Sequence, residues 1–192
     1  AIAGEVVEGP FLSAKQTVRD YRMEDRIEVR FGDGLQILSK EDEITAVTIC
    51  GMGGELISRI LEAGYSGGHL NGQERLILQP NVAEHFVREW LMKYSYRITH
   101  ETVVEDNHRL YEIIVAEPVN ERIEYTELEL KYGPILLKEP TELCVAKWNR
   151  MNRKNKEILE QLQKSKTPQH EKIEQFEKAF NELQGVIDRA NS

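Results

Sequence analysis

Three short stretches of the chain carry residues suited to chemistry, and each closes an apolar run of strand type. Residues 46–49, Ala-Val-Thr-Ile, stop abruptly in Cys50-Gly51-Met52-Gly53-Gly54. Leu76, Ile77 and Leu78 stop in Gln79-Pro80-Asn81, and the alternating residues 26–31 stop in Gly32-Asp33-Gly34. Glycines admit a ligand to bare backbone, carboxamides both donate and accept hydrogen bonds, and an ionised carboxylate only accepts. Open α/β sheets bind ligands outside the carboxyl ends of their strands, so these turns form the candidate site. Local sequence leaves alternatives open: a plain strand-to-helix connection at Cys50 to Gly54, an Asx turn at Asp33, and capping of the next helix by Asn81.

The elements that must position these turns follow from periodicity. Residues 1–7 read as a strand with no preceding turn, so the chain is expected to begin in mid-domain. Gly9 and Pro10 open a helix carrying Leu12, Ala14, Val18 and Tyr21 near one face. Leu35, Ile37 and Leu38 continue as a short helix or turn, and an acidic loop over residues 40–43 leads to the next strand. Behind Gly54, Leu56, Ile57, Ile60 and Leu61 recur at helical spacing, and residues 64–72 form a Gly/Ser/Asn-rich loop. Residues 82–94 predict a helix whose stripe of Phe86, Val87, Trp90 and Leu91 packs onto the sheet. Residues 96–104 and 110–116 are β-rich and close enough to pair as an antiparallel hairpin. Alternating strands and helices finished by a hairpin predict a mostly parallel sheet with an antiparallel strand at one side, suggestive of a methyltransferase fold. The GxGxxG fingerprint of nicotinamide-binding domains is absent.

Beyond Pro118 the pattern changes. Residues 121–132 are charge-rich and predict a helix, broken at Gly133-Pro134, and Pro140 starts another. Trp148, Met151, Asn155, Ile158 and Leu162, then Ile173, Phe176, Phe180, Leu183 and Ile187, repeat at heptad spacing on either side of a turn at Thr167-Pro168. That predicts an antiparallel coiled-coil hairpin with Asn155 on its seam; a helix pair packed on the main domain is the alternative. The expected domains are 1–118, a connecting segment 119–139, and 140–192. The net charge of −8 argues against a nucleic-acid binder over the whole surface, but the acid is concentrated ahead of residue 139. Lys147, Arg150, Arg153, Lys154 and Lys156 form a basic cluster with no acid between them, read either as a solvated face or as a phosphate-contacting patch. Hydrophobic content of 40% and charged content of 30% suit a globular protein, and no stretch is long and apolar enough to span a bilayer. Cys50 and Cys144 lack CxxC spacing, which gives a metal site little support and fits reduced thiols in a cytoplasmic protein.

With these residues laid out, the sequence resembles the bacterial tRNA (adenine-22-N1)-methyltransferase family. The matching segments are Ala3-Gly4-Glu5-Val6 with Gly9-Pro10, Gly32-Asp33-Gly34-Leu35, Ile49-Cys50-Gly51-Met52-Gly53-Gly54, Leu76-Ile77-Leu78-Gln79-Pro80-Asn81 and Tyr111-Glu112-Ile113-Ile114. The resemblance implies an α/β class I, Rossmann-like methyltransferase domain with S-adenosylmethionine as cofactor, tRNA as partner and a C-terminal coiled coil. It implies that Glu5 accepts from the cofactor ribose hydroxyls and that Asp33, with Gly34, receives the cofactor adenine. Gly51, Met52 and Gly53 would then line the methionine end of the cofactor and the target base, and Gln79 and Asn81 would hydrogen-bond the Watson–Crick edge of the flipped adenine, with Pro80 holding the corner rigid. The basic cluster would contact tRNA phosphates. A preceding strand and an acidic, glycine-containing cofactor loop are also implied, and these would lie upstream of Ala1. A non-catalytic RNA-binding or assembly module built on a degenerate methyltransferase fold is the competing expectation.

Overall fold

The computed structural model describes residues 1–164 and 169–191, so the expected turn at Thr167-Pro168 lies outside the described residues. Two compact units divide the chain: residues 1–99 with 115–124, and residues 100–114 with 125–192. The division therefore falls inside the hairpin, and residues 100–114 belong with the C-terminal helices instead of with the domain expected to end at residue 118.

In the first unit, strand β1 (Ile2–Glu5) runs into helix α1 (Glu8–Asp20) and returns as β2 (Glu28–Phe31), which lies parallel to β1 with Glu5 opposite Phe31. Pro10 falls in the first turn of α1, where its missing N–H costs no hydrogen bond. Two short 3-10 turns, Gly34–Ile37 and Lys40–Asp42, lead to β3 (Ala46–Met52). Strand β3 pairs in parallel with β4 (Arg75–Pro80) through the crossover helix α2 (Gly54–Ser66). The fully buried Ile57 and Leu61 of α2 and Val87 and Leu91 of α3 (Glu84–Lys93) supply core of the first unit. Strands β5 (Tyr96–Asp106) and β6 (Arg109–Pro118) complete a four-stranded sheet in the order β3-β4-β6-β5. Their two-residue connection, Asn107 and His108, has φ of 47° and 61°, the paired positive values of a type I′ turn, whose twist matches that of the strands.

Arg30 on β2 fixes the 3-10 turns that follow. Its guanidinium donates to both carboxylate oxygens of Asp42, at 2.6 and 2.7 Å, and to the Ile37 carbonyl at 2.9 Å. Asp42 also accepts from the Ser39 backbone N–H at 2.7 Å, closing a capping box. The Arg30 bonds, with the Ser39 N–H, hold the Asp42 carboxyl far below the ordinary carboxylate range. A carboxylate depressed on folding adds stability that is fully present above its unfolded pKa of about 4 and is lost as pH falls through the folded value. Asp42→Asn is therefore expected to lower the urea midpoint at neutral pH and to flatten the fall in that midpoint below about pH 4. Parallel acid limbs for the two proteins would refute this.

The second unit carries α4 (Glu127–Tyr132), α5 (Glu142–Gln163) and α6 (His170–Ala190). Helix α4 is shorter than the expected 121–132, because Thr126 and Glu129 form a capping box that sets its start. Val103, Tyr132, Leu136, Cys144, Trp148, Leu183, Val186 and Ile187 form the core of this unit. The beginning of α5 thus meets the end of α6, so the two helices run antiparallel. The buried seam of α5 differs from the expected one. It passes through Asn152, 4% exposed, whose amide donates to Gln184 Oε1 at 2.9 Å, while Met151 faces solvent and Asn155 is half-buried. Stepping four residues from Trp148 to Asn152 keeps that side chain under Gln184, which a strict heptad count does not foresee.

Candidate active site

A cavity of about 670 Å³ in the first unit has Glu5, Gly34, Cys50 and Met52 in its wall, whereas Asp33 is exposed and, like Gly51, Gly53, Gln79 and Asn81, lies outside that wall. Residues from the β1 and β3 edges contribute to that wall, and neither edge pairs with a further strand among the described residues. Glu5 ends β1, and its backbone carbonyl accepts from Gly32 N–H at 2.9 Å, which ties the end of β1 to the turn that carries Asp33. Asp33 precedes the first 3-10 turn in an extended conformation and makes no side-chain cap, so the expected Asx-type alternative does not form. Among the described residues, neither the Glu5 nor the Asp33 carboxylate has a hydrogen-bond or ion-pair partner. Two such acceptors, one ending β1 and the other in the turn after its parallel neighbour β2, suit a ligand presenting hydroxyl or amino donors.

The glycine turn after β3 differs from expectation in a useful way. Strand β3 continues to Met52, and its pairing with β4 is interrupted between Cys50 and Met52, so Gly51 is a bulge residue inside the strand. Gly51 has φ of 80°, which a residue with a side chain adopts only under strain. Two carboxamides hold this bulge. Gln79 Oε1 accepts from Gly51 N–H at 2.8 Å, Asn81 Nδ2 donates to the Gly51 carbonyl at 2.8 Å, and Gln79 Nε2 donates to Asn81 Oδ1 at 3.0 Å. The Asn81 N–H completes the clamp on the Met52 carbonyl at 2.7 Å. Gln79 and Asn81 are thus spent first on fixing the loop. Asn81 does not cap α3 either, since the cap position is Ala83, without a side-chain cap. Pro80 is buried and closes β4 opposite Met52.

Gly53 caps α2, and Gly54 begins it at a point where the chain passes very close to the next corner. A Cβ on Gly54 would lie 2.1 Å from the Ala83 carbonyl oxygen, and Gly54 N–H donates to the Val82 carbonyl at 2.8 Å. Only glycine allows that approach. The glycines are legible in the sequence, but this packing is not, nor are the roles of Val82 and Ala83, which depend on a corner formed with Gly54, twenty-eight and twenty-nine positions earlier. Desolvation outweighs a hydrogen bond from the Gln79 backbone and pushes the Cys50 thiol up, which keeps it protonated at neutral pH and unsuited to nucleophilic work.

The basic cluster is divided in the second unit. Lys147 is buried and donates to Glu112 Oε1 on β6 at 2.6 Å, which removes it from the expected phosphate-contacting set. Arg150 donates to the His108 carbonyl at 3.0 Å and lies 3.6 Å from Glu105 Oε1, so it too is turned to the hairpin. Arg153, Lys154 and Lys156 are exposed and form no ion pair among the described residues. No group of three or more His, Cys, Asp or Glu placed to hold a metal ion occurs among the described residues, and no described helix is long and apolar enough to cross a membrane.

Residues 1–185 match the family model described as tRNA (adenine(22)-N(1))-methyltransferase. A Bacillus subtilis (strain 168) tRNA (adenine(22)-N(1))-methyltransferase is 41% identical over 194 residues, covering 98% of this chain and 80% of the relative. The crystal structure of the B. subtilis m1A22 tRNA methyltransferase TrmK superposes with a TM-score of 0.85 at 38% identity, covering 97% of this chain and 81% of that one. A Streptococcus pneumoniae protein solved in complex with S-adenosyl-L-methionine superposes with a TM-score of 0.86 at 35% identity, covering 97% of this chain and 80% of that one.

Proposed function

The chain belongs to the tRNA (adenine(22)-N(1))-methyltransferase family, and on that premise we propose which of its residues carry the family's reaction. The protein is an S-adenosylmethionine-dependent enzyme that methylates N1 of adenine 22 in tRNA. When bound, S-adenosylmethionine supplies an electrophilic methyl group on a sulfonium centre. Glu5 accepts from the two ribose hydroxyls of that cofactor, and Asp33 accepts from its adenine amino group beside the side-chain-free Gly34. Gly51, Met52 and Gly53 line its methionine end.

Adenine N1 in the neutral base carries an in-plane lone pair, so no proton has to be removed before attack and positioning is the larger task. The clamp on Gly51 leaves Asn81 Oδ1 with a free lone pair to accept from the exocyclic amino group of the target base. Gln79 holds Asn81 in that orientation, and Pro80 stiffens the corner. On α5, Arg153, Lys154 and Lys156 contact tRNA phosphates; Arg150 joins them only by leaving the hairpin, and Lys147 is withdrawn from the set. The reduced Cys50 and Cys144 and the tRNA substrate fit a cytoplasmic enzyme.

The observation that carries this reading is the unpartnered Glu5 carboxylate at the end of β1, in the wall of a cavity that also includes Gly34 and Met52, with the unpartnered Asp33 carboxylate in the turn just before Gly34. Mass spectrometry of nuclease digests of unmodified tRNA, after incubation with the protein and S-adenosylmethionine, tests it. One added methyl at N1 of adenine 22 is expected. Unmodified tRNA would instead favour the non-catalytic module, and a methyl at another position would overturn the substrate assignment.

A further inference from the structure

The two corners beside the clamp carry large apolar side chains that are exposed. Met52 is 38% exposed, Leu56 41%, Val82 64% and Phe86 36%. Exposed apolar residues scattered singly need no explanation, but these four belong to two successive strand-to-helix corners that the backbone ties together. Asn81 N–H donates to the Met52 carbonyl at 2.7 Å and Gly54 N–H to the Val82 carbonyl at 2.8 Å. A Cβ on Gly53 would lie 3.9 Å from Val82 Cγ2, so the Val82 side chain borders the glycine turn. The next residue, Ala83, is held in the left-handed region at φ 58°, a conformation costly for a non-glycine residue that persists only where its surroundings impose it. The strained Ala83 thus follows a solvent-exposed Val82, four residues ahead of Phe86 in the first turn of α3. Met52 belongs both to this patch and to the cavity wall that carries Glu5.

Resting on the methyltransferase reading above, we propose that Met52, Val82 and Phe86 form the platform on which the target adenine stacks once it has left the RNA stack. A base within a stacked helix hides N1, and taking it out forfeits its stacking. An apolar surface ending in an aromatic ring restores part of that contact, and every base offers a flat face to it. The occupant is therefore a nucleobase, presented face-on to the platform and edge-on to the Gln79 and Asn81 carboxamides. Leu56 flanks the platform on α2 and widens its apolar rim.

The test compares the protein with its Val82→Ala/Phe86→Ala variant in three measurements. For the variant, kcat/KM for tRNA is expected to fall on the order of ten- to a hundredfold, while affinity for S-adenosylmethionine by calorimetry stays within twofold. A tRNA carrying 2-aminopurine in place of the target adenine is expected to brighten when the unchanged protein binds it and to brighten less with the variant; the single variant Phe86→Trp, which keeps an aromatic face, is expected to retain transfer. Unchanged kcat/KM and fluorescence in the double variant overturn the platform alone. A parallel loss of cofactor affinity also overturns it, because the corner would then serve the cofactor site. If the unchanged protein neither transfers a methyl group nor brightens the probe, the methyltransferase reading falls and the platform with it.

Discussion

Replacing Lys147 with methionine is expected to lower the unfolding free energy by about 3–5 kcal/mol, the cost of leaving a buried carboxylate without its cation. The Lys147 and Glu112 side chains are only 11% and 4% exposed, and Nζ lies 2.6 Å from Oε1. Methionine keeps the apolar stem of the side chain and so removes the charge with little change in packing. The double replacement Lys147→Met/Glu112→Leu removes both ions and is expected to recover most of the loss, because desolvating a pair costs nearly as much as its attraction returns. Urea denaturation followed by tryptophan fluorescence reads this, since Trp148 sits in the core of the same unit. A loss below about 1 kcal/mol for the single variant would mean that Glu112 is adequately held by its other neighbours. The pair also explains how residues 100–114 come to belong with the helices. Lys147 and Arg150 fasten α5 to the hairpin from the side, and Glu101 Oε2 accepts from Ile135 N–H at 2.9 Å.

Lys147 also marks where sequence stops informing. It opens a stretch that continues with Arg150, Arg153, Lys154 and Lys156 and holds no acid, so it reads as one of a basic cluster, while the group that decides its fate lies thirty-five residues earlier, on β6. The same limit applies at the site. The strand type of residues 46–49 and the glycines after them were legible, because β-branched runs and glycine turns are local properties. That Gly51 is a bulge, and that Gln79 and Asn81 hold it, depends on hydrogen bonds spanning twenty-eight and thirty residues. The Gln-Pro-Asn corner was located by its polar chemistry and its place after a buried strand, yet its first task proves to be architectural. On the long helices, apolar spacing found Trp148, Leu183 and Ile187 but took Met151 for Asn152, because a polar residue on a seam has no hydrophobic signature. The compact-unit boundary was missed for a related reason: the hairpin is one continuous local pattern, and only its long-range partners divide it.

The largest effect on ligand binding is expected from Glu5→Ala, with affinity for S-adenosylmethionine reduced about 10²- to 10⁴-fold by calorimetry. A hydrogen bond to a charged acceptor contributes about 1.5–3 kcal/mol, and a carboxylate that receives both ribose hydroxyls makes two of them. Each 1.4 kcal/mol is about a tenfold change, which gives the stated span. The fold should tolerate the change. The Glu5 carboxylate has no partner among the described residues, and the end of β1 is tied to the next turn by the Glu5 carbonyl, which alanine retains. An unchanged thermal midpoint together with lost affinity therefore separates a binding role from a structural one. Glu5→Gln keeps one acceptor oxygen without the charge and is expected to fall between the two, whereas Asp33→Asn, losing one charged acceptor against a single amino group, should cost less than Glu5→Ala. If Glu5→Ala bound the cofactor within threefold of the unchanged protein, the carboxylate would be a solvated strand end, and the cofactor ribose would have to be held elsewhere along the cavity wall.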